Sequence, residues 1–291
     1  YEKIAYRTPA FAGLFLPVLH LTFYPSFLPL YSHVLTVCHR STEKARSGER
    51  IVSDSQKTVE MPSLGRFGIR PRSLILLFLY RMLLDIHTHR LPEEAATAIL
   101  SCHMYSLPPA AACFLSAGIH PWFLSQEDLP VQKEWLRQML EDKRVIALGE
   151  AGIDKRCKTP LELQKEAFRY VCRLSEQHRL PLIIHAVKAT PELMAFRKEI
   201  RPQQPWIIHG FRGNKEVAQS LIRHGFYLSF GEKYQEEALA VTPPERLLLE
   251  TDESPVSAAQ LCRHMADVLQ TSVPALTAQL QQTIKSLFFN P

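Results

Sequence analysis

The strongest constraint on the fold of this chain is a repeated alternation of short apolar stretches with longer amphipathic stretches, which begins at Met82. The apolar stretches have the length and the Leu, Ile, Val and Phe content of buried strands. Seven of them are present, at 83–87, 112–119, 145–149, 182–185, 206–209, 226–230 and 247–251. Repeated strand-then-helix units are typical of parallel α/β proteins. We therefore expect an α/β fold of the (β/α) TIM-type barrel class.

Signals for helix starts fall between the predicted strands. A capping Ser, Thr or Asn, a proline in the first turn and an acidic residue soon after it all favour a helix start. Such signals occur at Pro92-Glu93-Glu94, Ser125 with Asp128, Thr159-Pro160 with Glu162, Thr190-Pro191-Glu192 and Asn214. These helices would supply the outer layer of the barrel.

The first 81 residues differ in composition from the rest of the chain. They hold 11 Lys/Arg and 5 Asp/Glu, a balance of +6, which leaves 23 basic and 24 acidic residues, or −1, for 82–291. The basic excess therefore gives no argument that the predicted barrel as a whole attracts nucleic acid. Residues 8–39 carry no charge, but they contain Pro9, Pro17, Pro25 and Pro29. Prolines at this spacing make a membrane-spanning helix a poor interpretation.

The chain begins with Tyr1, whereas Met82 leads directly into the first predicted strand. We therefore expect residues 1–81 to be non-native upstream translation or a disordered extension, and residues 82–291 to be the working domain. The alternative is a genuine membrane-associating leader. The six cysteines form no C-x-x-C pair, which indicates a reducing compartment, and we expect a cytoplasmic protein with no membrane partner.

Histidines and carboxylates stand at the ends of five predicted strands. They occur in His87-Thr88-His89, in the segment from Gly149 through Glu150 to Asp154, at His185, at His209 and in Glu250-Thr251-Asp252. A single histidine at a strand end is more often a hydrogen-bonded core residue than a ligand. In a parallel barrel, however, all carboxyl ends of strands meet at one face, which is where active sites are built. Four imidazoles and two carboxylates at that face predict a hydrolytic metal centre, with enough ligands for two ions and Glu150 as a shared bridge.

The order H-x-H, G-x-H-P, G-E-x-G-x-D, I-H, H-x-F and E-T-D resembles the TatD family of metal-dependent hydrolases, within the amidohydrolase-like barrels. The resemblance covers 82–291. It implies that one metal is held by His87, His89 and Asp252, and the other by His185 and His209, with Glu150 bridging the two. It also implies that Asp252 accepts the proton of the attacking water and that His120 is a substrate-side histidine.

The sequence departs from the family pattern in three places, one of which is Ser254-Pro255 where the family commonly has Asn-Pro after E-T-D. Only 33 positions separate His87 from His120, which predicts that one β/α unit after the first strand is missing or distorted. Two residues after His185 the family usually has an arginine, whereas this chain has Val187. Arg212 and Lys155 are the alternative sources of positive charge for substrate binding, unless both are solvated rim residues.

The residues predict a metal-dependent hydrolase with two divalent ions, Zn, Mn or, less well, Mg, as cofactors, and the resemblance implies that it cleaves ester bonds. The resemblance implies a deoxyribonuclease of the 3′-5′ exonuclease type, acting on single-stranded DNA or frayed ends. Two alternatives stay open. One is a deacylase of D-aminoacyl-tRNA, and the other is a degenerate barrel that binds metal without turnover.

Overall fold

A computed structural model describes residues 83–289 of the chain, apart from 95, 107, 111 and 113. The eight strands of this part form one closed barrel in sequence order, and every neighbouring pair is parallel. The strands are β1 Asp85–Thr88, β2 Ala98–Cys102, β3 Phe114–Ala117, β4 Val145–Asp154, β5 Leu182–Val187, β6 Trp206–Ile208, β7 Tyr227–Phe230 and β8 Leu247–Leu249. The predicted fold class is confirmed. The predicted leader, residues 1–81, lies outside the described residues.

Strand β2 was not predicted from the sequence. It pairs with β1 through Asp85 and Ala98 and with β3 through Ile99 and Phe114. All five of its residues are buried, so its apolar run carries no alternation that would distinguish a strand from a helix. The shortened region therefore keeps its strand, and the eight-stranded barrel closes.

The distortion of the shortened region lies in its connections. The helix predicted at Pro92 is wrong, because residues 93 and 94 form a bend and the chain reaches β2 after nine positions, 89–97. The described residues of the connection from β2 to β3 also contain no helix, and His103 and Ser106 close a small turn there. This part of the barrel is consequently bare of outer helices among the residues that the structure describes.

Seven α-helices follow β3 in the described chain. They are α1 Leu129–Met139, α2 Leu161–His178, α3 Thr190–Ile200, α4 Lys215–Arg223, α5 Glu236–Ala240, α6 Ala258–Val268 and α7 Val273–Ile284. The predicted cap of α4 is confirmed, since Asn214 accepts a hydrogen bond from the backbone N–H of Val217 at 3.0 Å. No helix of the described residues is both long and apolar enough to cross a membrane.

Two apolar clusters hold the strands in place. The larger one joins the sheet to its helices and includes Phe168, Val171 and Leu174 of α2, the face predicted to cover the sheet. The smaller one joins residues of the strands, such as Ile183 and Ile207, to the π-helical segment Lys285–Phe289 that ends the described chain. Because the strands are fixed by these clusters, their carboxyl ends are held at defined positions for polar side chains.

Candidate metal centre at the carboxyl ends of the strands

Glu150, on β4, lies between two pairs of histidines that the barrel brings together. Its Oε2 is 3.4 Å from His87 Nε2 and 3.2 Å from His89 Nε2. Its Oε1 is 2.6 Å from His185 Nδ1 and 2.7 Å from His209 Nε2. Each oxygen of one buried carboxylate therefore faces a different pair of imidazoles.

Asp252 joins the pair formed by His87 and His89. Its Oδ1 lies 3.6 Å from His89 Nε2 and 3.9 Å from His87 Nε2. The backbone N–H of Asp252 donates to the carbonyl of His87 at 2.9 Å, and the N–H of His89 donates to the carbonyl of Asp252 at 3.1 Å. Asp252 has φ +54, a left-handed conformation that aspartate tolerates better than most residues. The joined ends of β1 and β8 thus place a second carboxylate at the mouth of the barrel.

Two further carboxylates orient His185 and His209. Asp154 Oδ2 is 3.3 Å from His185 Nε2, and Glu250 Oε1 is 3.2 Å from His209 Nδ1. An imidazole that donates from one ring nitrogen keeps a lone pair on the other. In neutral rings that donate to these carboxylates, His185 Nδ1 and His209 Nε2, which face Glu150, would be the nitrogens left to bind a metal ion.

Sequence reasoning did not assign a role to Asp154 or Glu250. Asp154 stands four positions after Glu150 in the same strand, and Glu250 stands two positions before Asp252. Residues two or four apart in an extended chain point to the same side, so their position in the two motifs was the signal that could have revealed them.

The charge state of Glu150 follows from its neighbours. Burial alone would raise the pKa of this carboxyl, but the charge of His209 and hydrogen bonds from His120, His185 and His209 outweigh burial and hold the pKa well below its usual value. Burial likewise works to lower the pKa of His209, yet Glu150 and Glu250 hold it well above its ordinary value. Glu150 is therefore a carboxylate at neutral pH, with both oxygens negatively charged.

Unsatisfied polar atoms show that the residues fit a bound cation. Both ring nitrogens of His87 are fully buried, and neither makes a hydrogen bond within the part of the chain that the structure describes. A buried polar atom without a partner costs free energy, which a cation bound by the ring nitrogen would offset. Among the residues that the structure describes, three groups have ligand atoms that all lie within 4.8 Å of one another inside the group: His87, His89 and Glu150; His120, Glu150 and His185; and His209, Glu250 and Asp252. Imidazole nitrogens combined with carboxylate oxygens suit a divalent metal ion.

His120 also faces Glu150, and its ring has a backbone hydrogen bond on the far side. Its Nε2 lies 3.1 Å from Glu150 Oε1, while its Nδ1 accepts a hydrogen bond from the backbone N–H of Trp122 at 3.1 Å. Burial lowers the pKa of His120, which favours the neutral ring. In a neutral ring whose Nδ1 accepts, Nε2 carries the hydrogen, so His120 presents a donor to the site and not a lone pair.

The metal-ligand clusters open into a cavity of about 760 Å³. In the described part of the chain, three cations line this cavity, Arg156, Lys188 and Arg212. Lys155 does not line it, because its ammonium pairs with the carboxylate of Glu192 in the first turn of α3. The structure thus brings one of the two predicted cations, Arg212, to the site and turns Lys155 away from it.

Relatives of the chain were found by sequence and by structure. The "Uncharacterized metal-dependent hydrolase YabD" of Bacillus subtilis (strain 168) is 36% identical over 151 residues, 48% of this chain and 58% of that protein. The "3'-5' ssDNA/RNA exonuclease TatD" of Escherichia coli (strain K12) is 29% identical over 153 residues, 49% of this chain and 58% of that protein. The chain therefore spans a little over half the length of these curated relatives.

A solved structure and a family profile agree with these matches. The TatD homologue YJJV from Escherichia coli K12 superposes with a TM-score of 0.62 at 20% identity, covering 73% of this chain and all of that one, which supports the barrel fold. The profile of the family described as "TatD related DNase" matches residues 94–288, more than half of the chain. The chain therefore belongs to the TatD-related family of metal-dependent hydrolases.

Proposed function

We propose that this protein is a deoxyribonuclease that removes nucleotides from the 3′ ends of single-stranded DNA by metal-dependent hydrolysis of phosphodiester bonds. The observation that carries the proposal is the position of Glu150, whose two oxygens each face a separate pair of imidazoles. The substrate is suggested by relatives that are named as 3′-5′ single-stranded DNA/RNA exonucleases. We also propose a cytoplasmic location, because the four cysteines of the described residues are free.

Two divalent ions would be held on opposite sides of Glu150. His87, His89 and Asp252 would hold one ion, and His185 and His209 the other. When bound, such ions would lower the pKa of the attacking water and offset negative charge on the phosphate oxygens. The nitrogen-rich ligand set favours Zn or Mn over Mg.

Asp252 is the residue best placed to accept the proton of the attacking water. Its side chain is 27% exposed, whereas that of Glu150 is only 5% exposed. Asp252 lines the cavity, so a proton taken up there can pass on to solvent. Glu150 is surrounded by histidines, which lower its pKa and keep the carboxylate ionised. The two carboxylates are thus suited to different tasks.

His120 and Arg212 would act on the substrate. The Nε2–H of His120 points toward the centre of the site and could donate to a phosphate oxygen. Arg212 lines the cavity and could attract the phosphate backbone. Lys155 would not contact the substrate, because its ammonium pairs with Glu192.

Single-stranded ends fit the charge of the protein better than duplex DNA does. Residues 82–291 carry a net charge of −1, whereas a tight grip on duplex backbone requires many basic side chains. We expect the cations that line the cavity to bind the end of a flexible strand.

The proposal is tested by measuring metal content together with nuclease activity. The full chain, purified with Zn or Mn, is expected to contain two ions per chain and to shorten a 5′-labelled single-stranded DNA one nucleotide at a time. Blunt duplex DNA of the same sequence should be cut much more slowly. Release of amino acid from D-aminoacyl-tRNA without any DNA cleavage would favour a deacylase, and metal binding without hydrolysis of either substrate would favour a degenerate barrel.

A further inference from the structure

A group of exposed aromatic rings lies at the rim of the cavity. Tyr105 is 54% exposed, Trp122 is 58% exposed and Phe123 is 41% exposed, although large apolar side chains are usually buried. Together with His103 we call them the aromatic shelf. Trp122, Phe123 and His103 line the cavity directly, and Tyr105 contacts the last two rings.

The rings of the shelf contact one another. The rings of Phe123 and His103 stack at 4.4 Å between centroids and only 16° from parallel. Tyr105 meets Phe123 edge to face at 6.3 Å. Phe123 is also 5.5 Å from the ring of His120, whose Nε2 faces Glu150. The exposed ring of Phe123 therefore lies beside His120, which in turn faces Glu150.

Trp122 is fixed at its edge and open to the cavity. Its Nε1–H donates to Asp154 Oδ2 at 2.7 Å, which is the same oxygen that lies near His185 Nε2. The indole is 5.1 Å from the ring of His120 and 5.8 Å from that of His185, in both cases edge to face. Since the anchored edge carries its one polar atom, the rest of this exposed side chain is available for stacking.

The cations of the cavity complement the shelf. Arg156, Lys188 and Arg212 line the same cavity as Trp122 and Phe123. Lys188 has φ +53, an unusual conformation at the end of β5. A ligand that contacts both the aromatic shelf and these cations needs flat apolar rings and negatively charged groups in one molecule.

Resting on the proposed function, we infer that the aromatic shelf is a base-binding subsite that stacks an unpaired nucleobase next to the scissile phosphate. Stacking on aromatic side chains tolerates any base sequence, because every base presents a π-face. A base can reach the shelf only when it is unpaired, so the shelf selects single-stranded ends. A protein surface as partner is less suitable, because the rings lie at the mouth of a cavity that holds the metal-ligand clusters.

Tryptophan fluorescence tests the subsite without requiring turnover. The chain has three tryptophans. Trp206 is fully buried and Trp135 is partly buried in α1, which leaves Trp122 as the exposed one. Thymidine 5′-monophosphate should quench the fluorescence of the full chain saturably, and 2-deoxyribose 5-phosphate should not. The quenching should be lost in Trp122→Phe and kept in the matched variant Trp135→Phe.

Substitution of Phe123 tests whether stacking contributes to binding. We expect Phe123→Ala to weaken binding of thymidine 5′-monophosphate by on the order of ten-fold and Phe123→Tyr to keep it. Phe123→Ala should also lower kcat/KM for thymidine 5′-(p-nitrophenyl phosphate) more than for methyl p-nitrophenyl phosphate, which has no base. Val131→Ala removes an exposed apolar side chain that does not line the cavity, and should change neither.

The results separate this inference from the proposed function. Equal binding of thymidine 5′-monophosphate and 2-deoxyribose 5-phosphate would overturn the base-binding subsite. So would an equal loss of kcat/KM for the diesters with and without a base in Phe123→Ala. If neither diester is hydrolysed with Zn or Mn while the base-dependent quenching persists, the subsite stands and the proposed hydrolysis fails.

Discussion

The two histidine pairs that flank Glu150 are built differently. His185 and His209 are buried, and each donates from its outer ring nitrogen to a carboxylate behind it. His87 is buried but has no hydrogen-bonded ring nitrogen among the described residues, and the side chain of His89 is 30% exposed. We call the first pair the backed side of the site and the second pair the open side.

The difference suggests a division of labour. Carboxylates behind a ligating histidine fix the orientation of the ring and raise its basicity, so the backed side, with Asp154 and Glu250, is suited to hold an ion firmly. The open side has Asp252 in front of its rings, partly exposed to the cavity. That arrangement suits a place where water and substrate exchange.

The largest effect is expected when the residue shared by both sides is changed. Glu150→Gln keeps the shape of the side chain and removes its charge. The amide would bind the metal ions at both histidine pairs more weakly than the carboxylate does. Hydrolysis should be nearly abolished and metal content should fall on both sides, while circular dichroism shows a folded barrel. Elemental analysis and a single-stranded DNA assay measure the two losses.

Glu192→Gln is the matched control for this change. Like Glu150→Gln, this substitution neutralises a glutamate near the carboxyl ends of the strands. Glu192, however, pairs with Lys155 and not with a histidine. This variant should keep its metal and its activity. Full activity and unchanged stoichiometry in Glu150→Gln would show that Glu150 is not a bridging ligand.

The open side is tested by Asp252→Asn. If this residue accepts the proton of the attacking water, kcat should fall by about 10²- to 10⁴-fold, and excess metal should not restore it. Glu253→Gln, a neighbouring carboxylate of the cavity, should stay near the native rate. If excess metal restores the native rate, Asp252 binds metal but does not accept the proton.

The sequence was sufficient to predict the parts of the site that stand at strand ends. A barrel with parallel strands carries those ends to one face, so His87, Glu150, His185 and His209 could be grouped before any distance was known. It was not sufficient for β2, because a fully buried strand of five residues has no diagnostic period.

The residues missed or misplaced share a different cause. Whether a charged side chain near a strand end faces the cavity or a neighbouring helix depends on tertiary partners. Glu250 is completely buried and accepts the backbone N–H of Gly210 at 2.6 Å, although it could have been a solvated loop residue by sequence. Lys155 and Arg212 are equivalent candidates by sequence. In the structure Lys155 pairs with Glu192, whereas Arg212 lines the cavity.

The backed side is tested by removing its supporting carboxylates. Glu250→Gln and Asp154→Asn should each weaken metal binding by roughly 10- to 100-fold, a smaller loss than for Glu150→Gln. Because these residues would act through His209 and His185, excess metal should restore most of kcat, in contrast with Asp252→Asn. Chelator competition measures the affinity. If both variants bind metal like the native chain, the distinction between the backed and open sides has no energetic meaning.

The smallest effect is expected from charges that contact neither histidine pair. Arg212→Ala should raise KM for single-stranded DNA, leave metal content unchanged on both sides, and reduce the slope of log KM against log salt by about one. Lys155→Ala is the matched variant, since its ammonium is engaged by Glu192 and does not line the cavity. It should leave both KM and the salt slope unchanged between about 50 and 200 mM salt. Equal effects of the two substitutions on KM and on the salt slope would mean that the substrate reaches beyond the cavity to the surface around Lys155. A position inside the cavity would then not decide which cation binds the substrate.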